Sequence, residues 1–129
     1  MLPVSYLFVP GNRPERFAKA LASGAGAIIL DLEDAVAPAD KAAARQAIAD
    51  WVQTAGVAFE QLVVRINDAQ SPWYADDLAM IKATGLKQVM LPKTEFAEQV
   101  ALTLAATGPE VAVIALVESA RGINNIEQI

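Results

Sequence analysis

Apolar residues along this chain cluster in short runs that alternate with longer, alanine-rich stretches. The runs cover residues 5–10, 27–33, 61–67, 88–93 and 111–119 and are rich in valine, isoleucine and leucine. Short apolar runs with many β-branched residues predict strands, and the spacing of apolar residues in the intervening stretches predicts helices. Strands that alternate with helices are typical of an α/β fold built on a parallel sheet.

Glycines and helix-capping residues separate the predicted elements. A glycine, which favours a left-handed C-terminal cap, follows each predicted helix, at Gly24, Gly56, Gly85 and Gly108. Residues that commonly begin helices precede them: Asn12 with Pro14 and Glu15, Asp40, Ser71 with Pro72, and Thr94 with Glu95. The sequence has no linker or low-complexity tract, so we expect residues 1–129 to belong to a single domain with no second one.

Composition restricts the chemistry that the chain can perform. Its 129 residues include no histidine and no cysteine, which excludes disulfides, zinc–thiolate sites, thiol nucleophiles and imidazole bases. The formal net charge of −5, without a basic cluster, argues against nucleic-acid binding. The apolar start of the chain lacks a basic leader, is broken by Pro3 and Pro10 and is too short to span a membrane, so we expect a cytoplasmic protein without membrane contact.

Polar and charged residues gather where the predicted strands end. Strand one leads into "PGNR", and the later strands end in Asp31, Glu33 and Asp34, in Arg65 and Asn67, in Lys93, and in Glu118. In parallel α/β folds the carboxyl ends of the strands surround the ligand site. The sequence therefore predicts a functional site at this edge of the sheet.

Alternation along the strands predicts which side chains share a face. The same-face sets are Val63, Arg65 and Asn67; Val89, Leu91 and Lys93; and Ile114, Leu116 and Glu118. If these faces point into a barrel, their charged ends converge, and Arg65 and Glu118 lie at similar height because alternate strands contribute to one layer.

Burial makes two of these residues the strongest functional candidates. Glu118 closes an apolar run and would bury a charge unless a cation or water met it. Arg65 follows "LVV" and offers a guanidinium fork that matches a carboxylate. Lys93 and Asp34 fit a solvated surface about as well as a site, and Asp40 fits an ordinary helix cap.

Several motifs, in order, resemble one known family. The segments "YLFVPGNRPERFAKAL", "SGAGAIILDLEDAVAPADKAAAR", "VVRIN", "DDLAMIKATGL", "VMLPK" and "IALVESARGI" are similar to those of citrate lyase beta-subunit-like proteins, in the HpcH/HpaI aldolase and citrate lyase superfamily. The resemblance runs from near Ser5 to Ile129. It implies a (β/α)8 TIM barrel that uses Mg²⁺ to make or break a carbon–carbon bond. The implied substrates are citryl, malyl or citramalyl thioesters of coenzyme A or a carrier protein, with a 2-oxo acid such as oxaloacetate.

The resemblance also implies roles for individual residues. Arg65 would grip the carboxylate of the 2-oxo acid, and Glu118 would ligate the metal directly. Glu33 and Asp34 would support the metal through water. We expect Glu118, Lys93 and Asn67 to contact substrate together with Arg65, at the strand ends where they lie. Oxygen ligands without histidine suit magnesium.

Length indicates which part of such a barrel is present. A complete barrel takes about 250 residues, whereas this sequence predicts five strands. We therefore expect the N-terminal half of the barrel, with a second direct metal ligand beyond Ile129 and weak or no activity in the 129-residue form. Complete relatives are commonly trimers or hexamers, so the resemblance implies a homo-oligomer.

Three other interpretations fit the same residues. Five strands and their helices also fit a small doubly wound sheet that acts as a binding module. Lys93 is a possible Schiff-base nucleophile in a metal-independent aldolase. A noncatalytic half-barrel that stabilises a partner subunit is the third.

Overall fold

Five strands alternate with helices along the chain, as the sequence predicts. The computed structural model describes residues 2–54 and 56–129. The elements are β1 (Tyr6–Pro10), α1 (Phe17–Leu21), β2 (Ala27–Asp31), α2 (Lys41–Val52), β3 (Leu62–Arg65), α3 (Tyr74–Thr84), β4 (Gln88–Leu91), α4 (Ala97–Thr107), β5 (Ala112–Ala115) and α5 (Ala120–Asn124). Short 3₁₀ turns at Pro14–Arg16, Pro38–Asp40 and Phe59–Gln61 precede α1, α2 and β3.

The strand order identifies the architecture. All neighbouring strands pair in parallel, in the sequential order β1-β2-β3-β4-β5. A doubly wound sheet reverses its strand order near the middle, whereas a (β/α) barrel adds each strand beside the previous one. The doubly wound alternative is therefore wrong, and the predicted α/β fold with barrel-type winding is confirmed.

The two faces of the sheet have different partners. One face packs against the helices in a core that includes Phe17 of α1, Ile48 of α2 and Ile81 of α3. On the opposite, inner face a smaller cluster contains strand residues only: Ala27, Ile29, Val63 and Met90, with Ile114 and Leu116 packed against it. Helices that cover one face leave the strand ends of the other face free to present side chains.

Two local expectations about the strands differ from the structure. The strands end earlier than predicted, so Glu33, Asn67, Lys93 and Glu118 lie in loops just past them. Along β4, Val89 and Leu91 pack on the helix side and Met90 on the inner face, so the predicted phase of that strand is wrong. The strand has no exposed position that would have fixed its phase.

Helix boundaries also differ in detail. The Asp40 side chain makes no capping hydrogen bond, and α3 and α4 begin after Trp73 and Phe96 rather than at Ser71 and Thr94. Gly85 caps α3 in the left-handed conformation, as predicted, but Gly108 at the end of α4 has φ 116° and ψ 161°, outside that region. In the described part of the chain, no helix is long and apolar enough to cross a membrane.

Candidate active site

An ion pair between β2 and β3 forms the base of the site. Asp31 and Arg65 are register partners in the parallel sheet. Arg65 Nε donates to Asp31 Oδ1 and Nη2 donates to Oδ2, both at 2.7 Å. The Arg65 guanidinium also stacks over the Phe8 ring, 4.8 Å from its centroid. The edge formed by Nε and Nη2 is therefore fixed by Asp31, and Nη1, which is not on that edge, lies 3.3 Å from Glu33 Oε1.

The Asp31 carboxylate accepts two further hydrogen bonds from the turn that follows β2. The backbone N–H groups of Glu33 and Ala35 donate to its two oxygens, each at 3.0 Å. Burial alone raises the pKa of Asp31, but hydrogen bonds from Arg65 and this backbone, with the guanidinium charge, lower it overall. The hydrogen bond from Arg65 to Asp31 raises the pKa of Arg65 in turn. Asp31 and Arg65 are therefore both in their charged forms at neutral pH.

Glu33 is a buried acid beside this pair. Its side chain is 5% exposed, and Oε1 lies 3.3 Å from Arg65 Nη1. Its other oxygen, Oε2, is buried without a hydrogen-bond partner among the described residues. Burial raises the pKa of Glu33; the charge of Arg65 lowers it and that of Asp34 raises it. An unpartnered buried carboxylate oxygen is the kind of group that a bound cation or water satisfies.

The raised pKa of Glu33 predicts how stability responds to its replacement. Because the folded-state pKa lies above the unfolded value, the ionised carboxylate costs stability once the pH rises through the folded pKa. Glu33→Gln should therefore increase the free energy of unfolding at pH 7, and the gain should shrink below about pH 4, where both states of the wild type are protonated.

Urea unfolding at several pH values measures this effect. Glu60→Gln, the same change at an exposed position, is the control and should leave stability nearly unchanged at every pH. A Glu33→Gln variant that is less stable than wild type at pH 7 would contradict the assignment of Glu33 as a destabilising buried acid.

Lys93 and Glu118 meet at the ends of β4 and β5. Among the described residues, Lys93 is the one non-glycine residue with positive φ, at 50°, a conformation that is uncommon for side chains with a Cβ. Its backbone N–H donates to Glu118 Oε1 at 2.8 Å. Its Nζ lies 3.9 Å from Glu33 Oε2 and 3.8 Å from Asp68 Oδ2. The unusual backbone thus turns the Lys93 side chain toward Glu33 despite the shifted phase of β4.

The segment after β4 docks on the start of α5 and supports Glu118. The Ser119 hydroxyl donates to Glu95 Oε1 at 3.0 Å, and the Asn125 amide donates to the Glu95 carbonyl at 2.9 Å. A Cβ on Gly122 would lie 2.5 Å from the Thr94 carbonyl oxygen, so this contact requires glycine. Close packing on either side of Glu118 holds its backbone, but its side chain is exposed, so the burial predicted for Glu118 from the preceding apolar run is wrong.

Two predicted site residues lie apart from this group. Asn67 is 2% exposed, and both its backbone N–H and its side-chain amide donate to Asp77 Oδ2 of α3, at 2.8 and 2.7 Å. Asp34 is exposed on the turn after β2 and acts on its neighbours through charge. The predicted roles of Asn67 in substrate binding and of Asp34 in water-mediated metal support stay predictions.

Sequence reasoning missed Asp31, Asp68 and Lys41. Asp31 fills two of the Arg65 donors, a contact that pairing both strand ends in parallel register would have suggested. Asp68 approaches Lys93 from the loop after β3. Lys41 donates to the backbone carbonyl of Glu33, although its place in the sequence is that of an ordinary lysine on a helix surface. The contacts of Asp31 and Asp68 join residues of different strand ends, and that of Lys41 joins the start of α2 to the turn eight residues earlier.

The donor set fits a hard cation in part. No cluster of three or more acidic side chains close enough to hold a metal occurs in residues 2–54 and 56–129. Magnesium, however, commonly binds through one or two carboxylates and otherwise keeps water or substrate oxygens. Glu118 has one oxygen not used by Lys93, and Glu33 has its unpartnered Oε2; the charge of Glu118 also raises the pKa of Glu33.

Comparison with known proteins identifies the class. Residues 4–129 match the family model for HpcH/HpaI aldolase/citrate lyase. A citrate lyase subunit beta-like protein of Mycobacterium tuberculosis is 50% identical over 117 residues, which cover 91% of this chain and 39% of that protein. An L-malyl-CoA/beta-methylmalyl-CoA lyase of Cereibacter sphaeroides is 40% identical over 135 residues, covering 95% of this chain and 42% of that protein.

A solved structure agrees with the sequence match. The citrate lyase beta subunit of M. tuberculosis, complexed with oxaloacetate and magnesium, superposes with a TM-score of 0.80 at 47% identity, over 93% of this chain and 49% of that one. The chain belongs to the HpcH/HpaI aldolase/citrate lyase family, which confirms the resemblance. It spans less than half the length of these relatives.

Proposed function

We propose that this chain supplies half of the active site of a magnesium-dependent carbon–carbon lyase that acts on acyl thioesters. That half lies at the ends of its strands. The observation that carries the proposal is the meeting of Arg65, Glu33, Lys93 and Glu118 at one sheet edge. Relatives named as citrate lyase beta-like and malyl-CoA lyase proteins support the reaction class. The activity of those whole proteins is a proposal for this chain, which covers 39% and 42% of them.

Arg65 is proposed to bind the carboxylate of the 2-oxo acid. Asp31 occupies its Nε and one hydrogen of Nη2, which fixes the plane of the guanidinium without using all of its donors. Since Nη1 lies 3.3 Å from Glu33 Oε1, the second hydrogen of Nη2 and the Nη1 hydrogen not directed at Glu33 are proposed to form charge-assisted hydrogen bonds to a substrate carboxylate. Oxaloacetate, bound by the relative in the solved complex, carries such a group.

Glu118 is proposed as the direct protein ligand for Mg²⁺, with Glu33 and Asp34 supporting it through water. When bound, the ion would polarise the oxygen of the oxo or hydroxyl group. Glu118 already gives one oxygen to the Lys93 N–H, which orients the carboxylate and leaves the other for a ligand. Lys93 would add positive charge near the anionic substrate. No substrate contact is proposed for Asn67, because its side-chain amide is buried and donates to Asp77.

The proposed cleavage follows from these positions. The substrate hydroxyl gives its proton to a general base, which later protonates the enolate. The bond between the hydroxyl-bearing carbon and the carbon next to the thioester breaks, and the hydroxyl oxygen becomes the oxo group. The electron pair leaves with the thioester as an enolate, which takes up a proton. Arg65 holds the carboxylate of the oxo-acid fragment throughout, and its fixed geometry lowers the cost of orienting the reacting groups. The reverse direction condenses the same two fragments.

Two further parts of the proposal concern the whole protein. We propose that a second direct metal ligand lies beyond Ile129 and that the complete protein assembles as a homo-oligomer. The thioester is proposed to be carried on coenzyme A or on a carrier protein. For the 129-residue form we expect weak magnesium binding and slow turnover.

The main rival is a Schiff-base aldolase built on Lys93. A lysine nucleophile is commonly activated in an apolar pocket or beside another cation. The Lys93 side chain is instead 57% exposed, and its ammonium faces the carboxylates of Glu33 and Asp68. The geometry favours an ion-pairing and anion-binding lysine.

An assay with malyl-CoA separates the two mechanisms. We expect slow release of acetyl-CoA, abolished by EDTA and restored by Mg²⁺. Borohydride added with pyruvate should leave Lys93 unmodified by mass spectrometry. Turnover that survives EDTA, together with a reduced pyruvate adduct on Lys93, would overturn the metal-dependent mechanism and support the aldolase.

A further inference from the structure

Lys41 is a buried ammonium that the proposed mechanism does not use. It is the first residue of α2, and its side chain is 5% exposed. Its Nζ donates to the backbone carbonyl of Leu32 at 2.7 Å and to that of Glu33 at 2.9 Å. The same nitrogen lies 4.9 Å from the centroid of the Trp73 ring. One side chain thus joins the start of α2, the turn after β2 and the residue before α3.

These contacts act on the turn that carries Glu33. The turn is held from the inner side by Asp31, which accepts hydrogen bonds from the N–H groups of Glu33 and Ala35. Lys41, at the start of α2, donates to the backbone carbonyls of Leu32 and Glu33 in the same turn. With both N–H and C=O groups engaged, the backbone of Glu33 has little freedom to rotate. The Glu33 side chain is consequently directed toward Arg65 Nη1 and Lys93 Nζ.

Charge explains why a lysine suits this position. Three acids are buried in and around the site: Asp31, Glu33 and Asp77. Three cations there are buried or nearly so: Lys41, Arg45 and Arg65. Arg45 pairs with Asp77 at 3.0 Å and Arg65 pairs with Asp31 at 2.7 Å. Lys41 supplies the third positive charge, next to the backbone of Glu33.

We propose that Lys41 is a positioning residue: it clamps the Leu32–Glu33 turn from the side of α2 and thereby aims the Glu33 carboxylate into the site. The clamp itself is a property of the fold. Its consequence for ligand binding rests on the proposed function, because Glu33 matters to a ligand only if the site binds one.

Amide hydrogen exchange followed by NMR tests the clamp in the 129-residue chain. In Lys41→Met, protection of the Glu33 and Ala35 amides should fall about tenfold or more, since two charge-assisted hydrogen bonds to the turn are lost. The Asn67 amide, which Asp77 holds, should keep its protection.

Arg45→Met is the matched control, because it removes one positive charge from the same helix four residues further on. It should reverse the pattern: the Asn67 amide loses protection with its partner Asp77 disturbed, while the Glu33 and Ala35 amides are unchanged. Unchanged Glu33 and Ala35 amides in Lys41→Met would overturn the proposal. A uniform loss across both variants, which a merely structural role predicts, would also overturn it.

A measurement on the wild-type chain covers the case in which Lys41→Met does not fold. The ammonium protons of Lys41, bonded to two carbonyls, should exchange slowly enough to give a ¹⁵N–¹H signal, in contrast to those of exposed Lys93. Exchange at Lys41 as fast as at Lys93 would refute the clamp. Failure of the proposed function would show separately, as a wild-type chain that does not respond to Mn²⁺ and pyruvate while the exchange pattern stands.

Discussion

Replacement of Asp31 by alanine should lower the free energy of unfolding by about 3–5 kcal/mol, the usual cost of removing one partner from a buried ion pair. Asp31 is 1% exposed and accepts hydrogen bonds from Arg65 and from the backbone of Glu33 and Ala35. Its loss leaves the Arg65 guanidinium largely buried without its carboxylate and frees two N–H groups of the turn. The effect therefore combines the loss of the main partner of Arg65, which keeps its contact with Glu33, with the loss of two hydrogen bonds that hold the turn.

Urea unfolding followed by circular dichroism at pH 7 measures the Asp31→Ala effect. Asp34→Ala, at an exposed position three residues on, is the matched control and should change stability by less than about 0.5 kcal/mol. Combining Asp31→Ala with Arg65→Met should recover part of the loss, since both charges are then removed. Equal effects of Asp31→Ala and Asp34→Ala would show that the ion pair contributes little to stability.

The pH dependence of the same comparison follows from the lowered pKa of Asp31. A carboxyl with a folded pKa below its unfolded value stabilises the protein above the unfolded pKa, about 3.9. That stabilisation is lost as the pH falls through the folded pKa. The difference in the free energy of unfolding between wild type and Asp31→Ala should therefore be largest at pH 7 and should decrease in acid.

Replacement of Arg65 by lysine should weaken pyruvate binding about 10- to 100-fold, the range expected when hydrogen bonds to a charged group are lost. Lysine keeps a positive charge for Asp31 but lacks the planar fork that would hold two carboxylates at once. Because the charge is retained, the fold should survive, and the loss should be confined to the ligand.

Titration with ¹³C-carboxylate pyruvate in the presence of Mg²⁺ measures this loss. Arg45→Lys makes the same conservative change at the ion pair with Asp77, outside the strand-end group, and should leave pyruvate affinity within about twofold of wild type. If Arg65→Lys binds pyruvate as well as Arg45→Lys does, Arg65 is not the carboxylate-binding residue.

Sequence patterns identified the fold and the edge of the sheet where polar groups converge. Apolar runs predicted all five described strands, because the strands of a parallel sheet carry apolar residues on both faces, even where β1 is exposed at Tyr6, Leu7 and Phe8. The assignment of Arg65 to the inner face also holds, since Val63, two residues earlier, packs in the inner cluster. Local sequence patterns were enough to predict both the strands and the face on which Arg65 lies.

Pairing between distant residues was beyond those patterns. Asp31 was predicted only as one of several polar residues at the strand ends, and the sheet register places it opposite Arg65. The phase of β4 was taken from Lys93, whose left-handed backbone breaks the alternation. Helix α5 was not predicted, although Ser119 is a common N-cap residue and its hydroxyl accepts a hydrogen bond from the Gly122 N–H. Lys41 followed the turn as an ordinary helix residue, and only the folded chain shows it buried.

The proposed function requires that the strand ends form a metal and 2-oxo acid site with Glu118 as its direct ligand in this chain. Mn²⁺ titrated into the ¹⁵N-labelled 129-residue chain with pyruvate tests it most directly, since Mn²⁺ shares the preference of Mg²⁺ for oxygen ligands and broadens nearby signals. We predict broadening centred on Glu33, Lys93 and Glu118, lost in Glu118→Gln and kept in Glu110→Gln, whose exposed carboxylate pairs with Lys87. Broadening elsewhere, or broadening that persists in Glu118→Gln, would contradict the proposed metal site and the role of Glu118 in it.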